Sequence, residues 1–261
     1  MQIIYPDDYS NLHKPDEAFE QEYLCARDSG IHCLLLASEA AAMGKYQFSG
    51  PIEPYAPVIW RGWMLTADEY RQLHGTVTAQ GGEMLESPED YICNHHITGW
   101  YERCQAYTPE TVITTHDADF ESLTRQLQWP AYFVKDYVKS LTTSRGSIAR
   151  NAEEITEILR LIVQFRGHIE GGVSLRRVEE FVNNSERRYF VLNGRVFSSD
   201  EQVPEFVNEV ARCVDTPFYS IDVVENSVGE LRLVEIGDGQ VSDIKEWAVE
   251  KLVAAFHLSG I

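Results

Sequence analysis

The chain is poor in the residues that build a disulfide scaffold, a thiolate metal site or a membrane span. Its five cysteines, Cys25, Cys33, Cys93, Cys104 and Cys213, are scattered, odd in number and form no Cys-x-x-Cys pair. That excludes a zinc ribbon and a disulfide framework, and reads as reduced thiols in a cytoplasmic protein. No apolar run is long enough to span a bilayer, and no signal-peptide pattern opens the chain. Internal repeats and low-complexity tracts are absent. Basic residues are few: 22 Lys and Arg stand against 41 Asp and Glu, a net charge of −19. A surface that negative disfavours nucleic acid and anionic membrane as partners, yet leaves room for a local basic pocket.

What is present suits a soluble globular protein of two lobes: 261 residues, 44% hydrophobic and 24% charged. The first hundred residues alternate strand and helix signals. Strands are expected over 3–5, 31–36 and 58–60, and a helix over 16–27. A capping box, Thr66 with Glu69, opens another helix, and Pro88 begins a third. Alternation of this kind predicts an α/β lobe with a mostly parallel sheet. Beyond residues 107–111 the pattern changes. Strands are expected over 112–114, 131–137, 173–182 and 187–192, and helices over 119–127, from Asn151, over 204–214, and finally from a cap at Ser242. Asn193-Gly194 is a two-residue hairpin signal. Hairpins beside helices predict an antiparallel α+β lobe.

The strongest chemical signal is the stretch 218–242, FYSIDVVENSVGELRLVEIGDGQVS. It reads as a β-hairpin. With a loop at 227–230, Asp222 falls opposite Glu235, and directly paired like charges repel. A divalent cation relieves that repulsion, since Mg²⁺ is held by one or two carboxylates plus phosphate oxygens. A slipped register, with one carboxylate in solvent, is the alternative. The strand ends Gly-Asp-Gly, placing Asp238 just beyond. Upstream, Lys135 sits inside the β-prone run AYFVKDY, where it either snorkels to solvent or faces an anion. The loop 141–147, LTTSRGS, can wrap N–H groups around phosphate or be a solvated turn. Arg176-Arg177 and Arg187-Arg188 are too short for a nucleic-acid patch. His95-His96 lacks a metal-site partner, and the five tryptophans read as core.

In this order and spacing the motifs YFVKDY, SRGS, VEEFV, YFVLNGRVF and SIDVV…LRLVEIGDG resemble the ATP-grasp superfamily. More narrowly, Arg61-Gly62-Trp63 is similar to an element in the first lobe of a small stand-alone clade. The resemblance implies a pre-ATP-grasp-like α/β lobe at 1–108. It implies an ATP-grasp fold at 109–261, with antiparallel sheets flanking an ATP cleft. ATP and Mg²⁺ are the implied cofactors. Lys135 would contact phosphate or adenine, with Lys139 assisting, and Ser144 and Gly146 would line the phosphate loop. Glu179, Glu180, Phe181 and Val182 would lie along adenine and ribose. Asp222 and Glu235 would hold Mg²⁺. Members end that element Glu-x-Asn; here Gly237 stands at the asparagine position, so Asp238 is carried as the third ligand. Arg188 would meet the charge of the tetrahedral intermediate, and Arg61 would grip an anionic substrate.

The expected activity is an ADP-forming ligase that joins a small carboxylate to an amine, or less often a thiol, with amino acids and peptides among the candidate substrates. Two alternatives stand beside it. One is a catalytically silent nucleotide-binding or scaffold protein. The other is a metal nuclease using Asp222 and Glu235, which lacks the lysine expected where Gly237 sits. Neither the acid nor the nucleophile is named by the sequence, and a homodimer is left open.

Overall fold

Strand β1 (Gln2–Asp8) is buried along nearly its whole length, as a parallel strand covered on both faces must be. The computed structural model describes residues 1–140 and 143–260, without the side chain of Leu12. By proximity the chain divides into two units, each assembled from separate stretches. Residues 1–94, 187–222 and 237–261 make the first, and 95–186 with 223–236 the second.

Past a bulge, β1 pairs antiparallel with β2 (Asn11–Pro15). Helix α1 (Glu20–Asp28) returns the chain to β3 (His32–Leu36), parallel to β1. Short α2 (Ser38–Ala42) precedes β4 (Pro57–Trp60), which is also parallel to β1. Helix α3 (Ala67–Ala79) leads to β5 (Glu83–Met84), parallel to β4, and α4 (Pro88–His95) follows. The start of α3 is the capping box read from sequence: Thr66 Oγ1 accepts from Glu69 N–H while the Glu69 side chain accepts from Thr66 N–H.

The second unit holds α5 (Ile97–Cys104), β6 (Thr111–Thr114), α6 (Phe120–Leu127), β7 (Tyr132–Asp136), β8 (Ile148–Ala149), α7 (Ala152–Arg166) and β9 (Val173–Arg177). Its sheet is antiparallel, in the order β6-β9-β7-β8. Asn151 caps α7 by accepting from Glu154 N–H, and Gly167, at φ +85°, ends it. Ile155, Ile158 and Ile162 on one face of α7 join Tyr132, Val134, Val173 and Leu175 in a single core.

The remaining elements are β10 (Arg187–Leu192), β11 (Arg195–Ser198), α8 (Glu205–Ala211), β12 (Phe218–Glu225), β13 (Leu231–Asp238) and α9 (Val249–Leu258). Strand order is β11-β10-β12-β13. Asn193 and Gly194 take φ +48° and +74°, as a tight turn between paired antiparallel strands requires. Strands β12 and β13 each run from one unit into the other.

Three expectations are corrected. The β12–β13 loop is 227–229, not 227–230: Asn226 N–H donates to Glu230 O at 2.8 Å, and Gly229, at φ +84°, donates to Asn226 O at 3.0 Å. This is a type I turn closed by a bulge glycine. Ser242 does not cap the last helix, which starts after Ala248; its hydroxyl donates to Asp238 O and meets Ser220 Oγ at 2.8 Å. The strand expected over 173–182 stops at Arg177, and Phe181 returns only as an isolated bridge to Asn226.

Ile158 is fully buried, whereas Val163 on the same helix is 43% exposed. Ile158→Ala should cost about 2–5 kcal/mol. Val163→Ala should stay within about 0.5 kcal/mol of wild type. Urea denaturation followed by circular dichroism separates the two; equal effects would refute the assigned helix face.

Candidate active site

Side-chain alternation across β7 and β9 decides where the charged residues of the second unit go. Tyr132, Val134, Val173 and Leu175 enter the core. Their neighbours Phe133, Lys135, Ser174 and Arg176 must therefore share the other face. Lys135 is paired directly with Ser174, and Phe133 with Arg176. Lys135, 6% exposed, forms an ion pair with Glu235 on β13. Arg176, 7% exposed, donates through Nη1 to Val234 O at 2.6 Å. Its Nε and Nη2, and the hydroxyl of Ser174, are buried with no hydrogen-bond partner among the described residues. Burial holds the Arg176 guanidinium below its usual pKa against the pull of Glu235, Tyr101 and Glu179. His95 is driven down to about 3, first by burial and then by His96, Lys139, Lys135 and Arg166.

Asp136 ends β7. Its carboxylate accepts from the N–H groups of Val138 and Lys139 and from Arg166 Nη1, which fixes the turn that carries the exposed Lys139. In the loop read as phosphate-binding, Leu141 and Thr142 lie outside the described residues. Ser144 is exposed, and Gly146 takes φ +67°. Arg145 is turned away to Glu154, Glu157 and Ile148 O. Glu179 is gripped by Arg232 through two bonds of 2.9 Å. Glu180 is exposed, its carbonyl accepting from Ser227 N–H. Phe181 and Val182 are also exposed, and Val182 N–H donates to Glu225 O.

In the first unit Asp222 is buried between two cations. Arg188 grips it through Nε and Nη2 at 2.8 and 2.7 Å, and Lys245 Nζ lies 2.9 Å away. Arg188 also reaches Asp243. Arg61 is 1% exposed. It binds Glu22 bidentately and donates to the carbonyls of Gly239, Gln240 and Ser242, so every nitrogen of its guanidinium is engaged inside its own unit. Asp238 is buried, accepting from Gln240 N–H and lying beside Asn94 and Glu86. Burial raises the Asp238 carboxyl to about 6, and burial together with Asp238 pushes Glu86 well above its usual range. Among the described residues no three His, Cys, Asp or Glu side chains are grouped as a metal cage.

Residues 110–256 match the model of an ATP-grasp domain, family 3 of its R-2-K clade. The chain belongs to this ATP-grasp family. No curated protein matches it in sequence. Solved structures share its fold end to end. The D-cycloserine synthetase DcsG aligns at a TM-score of 0.64 and 12% identity, over 98% of each chain. The macrocyclase MdnC from Microcystis aeruginosa MRC, bound with its precursor peptide MdnA, aligns at 0.61 and 10% over the whole of both chains. The ATP-grasp ligase PsnB, complexed with a precursor variant, Mg and ADP, aligns at 0.59 and 13%, over 99% of this chain and 97% of that one. The ATP-grasp fold class, mixed α/β with antiparallel sheets, is thus established. All five cysteines are unbridged, and no helix among the described residues is long and apolar enough to cross a membrane.

Sequence reasoning passed over Ser174, Arg176, Lys245 and the Glu86–Asn94–Gln240 cluster of this ATP-grasp protein. A signal for the first two existed: in VSLRR the residues alternate apolar and polar, the period-2 pattern of a strand with two different faces.

Because burial raises Asp238, its contribution to stability is present at low pH and is lost as pH rises from about 3.8 through about 6. Asp238→Asn should accordingly stabilise the protein by about 1–3 kcal/mol at pH 8. The gain should shrink below pH 6. Urea midpoints across pH 4–8 check this; a gain independent of pH would remove the buried-acid account.

Proposed function

We propose that this ATP-grasp protein is an ADP-forming ligase that activates a carboxylate with Mg·ATP and joins it to an amine. The observation that carries the reading is the polar face of the second unit, where Lys135, Ser174 and Arg176 are displayed by a sheet whose other face is core and Lys135 pairs with Glu235 of β13. The solved structures similar to it support the same reading: a synthetase, a macrocyclase acting with a precursor peptide, and a ligase holding Mg and ADP. We assign 109–261 to the catalytic domain and 1–108 to the preceding lobe.

The donor chemistry fits Mg²⁺. Asp222 and Glu235 offer carboxylate oxygens, and Mg²⁺ takes one or two of these together with phosphate oxygens and water. Both already attract cations from the chain itself: Arg188 and Lys245 contact Asp222, and Lys135 contacts Glu235. Asp238 is better suited to fixing the Gly-Asp-Gly turn than to binding metal, since Gln240 and Asn94 already occupy its oxygens. When bound, Mg²⁺ would neutralise charge on the phosphoryl oxygens.

The substrate carboxylate attacks the γ-phosphorus, and the bond to the leaving ADP oxygen breaks. The amine then attacks the acyl carbon, phosphate departs, and the nitrogen loses a proton. Lys135 opposes the negative charge gathering on the transferred phosphoryl oxygens. Arg188 meets the oxyanion of the tetrahedral intermediate. Glu179, Glu180, Phe181 and Val182 line the nucleotide, with Ser144, Gly146 and Lys139 on the phosphate side. Arg61 holds the loop 239–242 in place through its carbonyl bonds. A nuclease reading gains no support, since the net charge of −19 opposes approach to DNA.

Glu235→Ala and Asp222→Ala should each lower Mg·ATP turnover by at least about 100-fold while leaving the circular dichroism spectrum unchanged. Phosphate release and condensed masses, measured with pooled amino acids and small peptides, provide the assay. Wild-type turnover in both variants would eliminate the metal assignment.

A further inference from the structure

Four arginines in this chain allow a comparison within one molecule. Arg61, Arg188 and Arg232 each use the same guanidinium edge, Nε with Nη2, to hold a carboxylate through two bonds of 2.7–2.9 Å: Glu22, Asp222 and Glu179 respectively. At Arg176 that edge is buried and, among the described residues, unpartnered, the arginine being anchored there through Nη1 on Val234 O. Two carboxylates lie near enough to influence its charge, Glu235 and Glu179. Both are taken, the first by Lys135 and the second by Arg232. Removing a guanidinium from water without a counter-charge is costly, so a fork kept in this state points to a ligand from outside the chain.

We propose that the Nε/Nη2 edge of Arg176, with the Ser174 hydroxyl, is an oxyanion subsite that receives phosphoryl oxygens of the bound nucleotide. The inference rests on the ATP-dependent reading above and extends it to two residues with no previous role. Charge and shape select the ligand. Around this face three cations, Lys135, Arg176 and Arg232, stand against two carboxylates, Glu235 and Glu179, so an added anion is favoured. The fork alone would satisfy a planar carboxylate. Ser174, two residues away on the same face of β9 and paired with Lys135, adds a hydroxyl for a further oxygen, which a tetrahedral phosphoryl group supplies. Ser174 Oγ is also unpartnered, so one ligand accounts for all three orphaned groups.

The test uses the full chain with Arg176→Met, Arg176→Lys and Ser174→Ala. The probes are a Mg-bound non-hydrolysable ATP analogue, Mg·ADP and adenosine, with titration calorimetry and thermal melting as readouts. Arg176→Met should melt at or above the wild-type temperature without ligand, because it removes an unpartnered buried charge. It should bind the ATP analogue at least about tenfold more weakly, with adenosine unaffected. Ser174→Ala should show a smaller loss in the same direction. Wild-type affinity of Arg176→Met for both Mg-nucleotides overturns the proposal. A lowered melting temperature with equal loss of adenosine and nucleotide also overturns it, since that marks a purely structural arginine. Should Arg176→Met fail to fold, Arg176→Lys decides, because it keeps the charge and lacks the fork: retained affinity for the analogue overturns the subsite. If the wild-type protein binds none of the three probes, the ATP-dependent reading itself is lost, a result distinct from a loss confined to the variants.

Discussion

A β-strand cannot place two adjacent side chains on one side, and the second unit depends on that constraint. In β7 and β9 every other residue is apolar and enters the core: Tyr132, Val134, Val173 and Leu175. Each contributes about 1.5–3 kcal/mol by leaving water. The intervening positions are thereby fixed in direction whatever they carry, and here they carry Lys135, Ser174 and Arg176. Packing on one face thus holds, on the other, charged groups that would not assemble on their own. Chemistry is displayed by a surface whose stability comes from elsewhere, which lets the charged face keep unpartnered donors without unfolding the unit.

Burial by itself does not separate a working arginine from a structural one. Arg61 and Arg176 are both nearly inaccessible. What distinguishes them is the completeness of their bonding. Arg61 uses every nitrogen, on Glu22 and on the three carbonyls of the loop after Asp238. It therefore acts as a clamp between the end of β4 and that loop. Arg188 lies between these cases: its fork is on Asp222 and Nη1 is on Asp243, whose side chain is 77% exposed. An ion pair with one exposed partner is weak and readily exchanged. The more buried partner, Asp222, keeps a second cation in Lys245.

Local chemistry was legible in the sequence, and distant chemistry was not. Thr66 with Glu69, Asn151 with Glu154, and Asn193-Gly194 all form the caps and turn that their spacing predicts, because each motif is closed within a few residues. The ATP-grasp resemblance was legible for a related reason: five short motifs keep their order along the chain. Ser242 shows how a local rule fails. Its hydroxyl had a nearer partner in Asp238 O and a distant one in Ser220, and a competing bond of this kind cannot be seen from one dimension. Arg61 was read as a substrate residue because its partner Glu22 lies 39 positions away. Likewise nothing near Asp238 in sequence announces Glu86. At the β12–β13 turn the loop ends one residue sooner than its sequence suggests, because the backbone closes between Asn226 and Glu230.

The overall charge sharpens the case for buried donors. A protein of net charge −19 repels a nucleotide at long range. Beyond about 8 Å that field is screened at physiological ionic strength, so the attraction must be made at contact. An exposed lysine such as Lys139 acts through water, where a charge pair gains about 1 kcal/mol or less. Lys135 and Arg176 are withdrawn from solvent, where the effective dielectric is lower and the same charge acts more strongly. Burial depresses His95 to about 3, and His96, Lys139, Lys135 and Arg166 push it in the same direction. An acidic chain that binds an anionic ligand is therefore expected to rely on a few sequestered, geometrically specific donors, and a guanidinium fork held unpartnered beneath a sheet is the form such a donor takes.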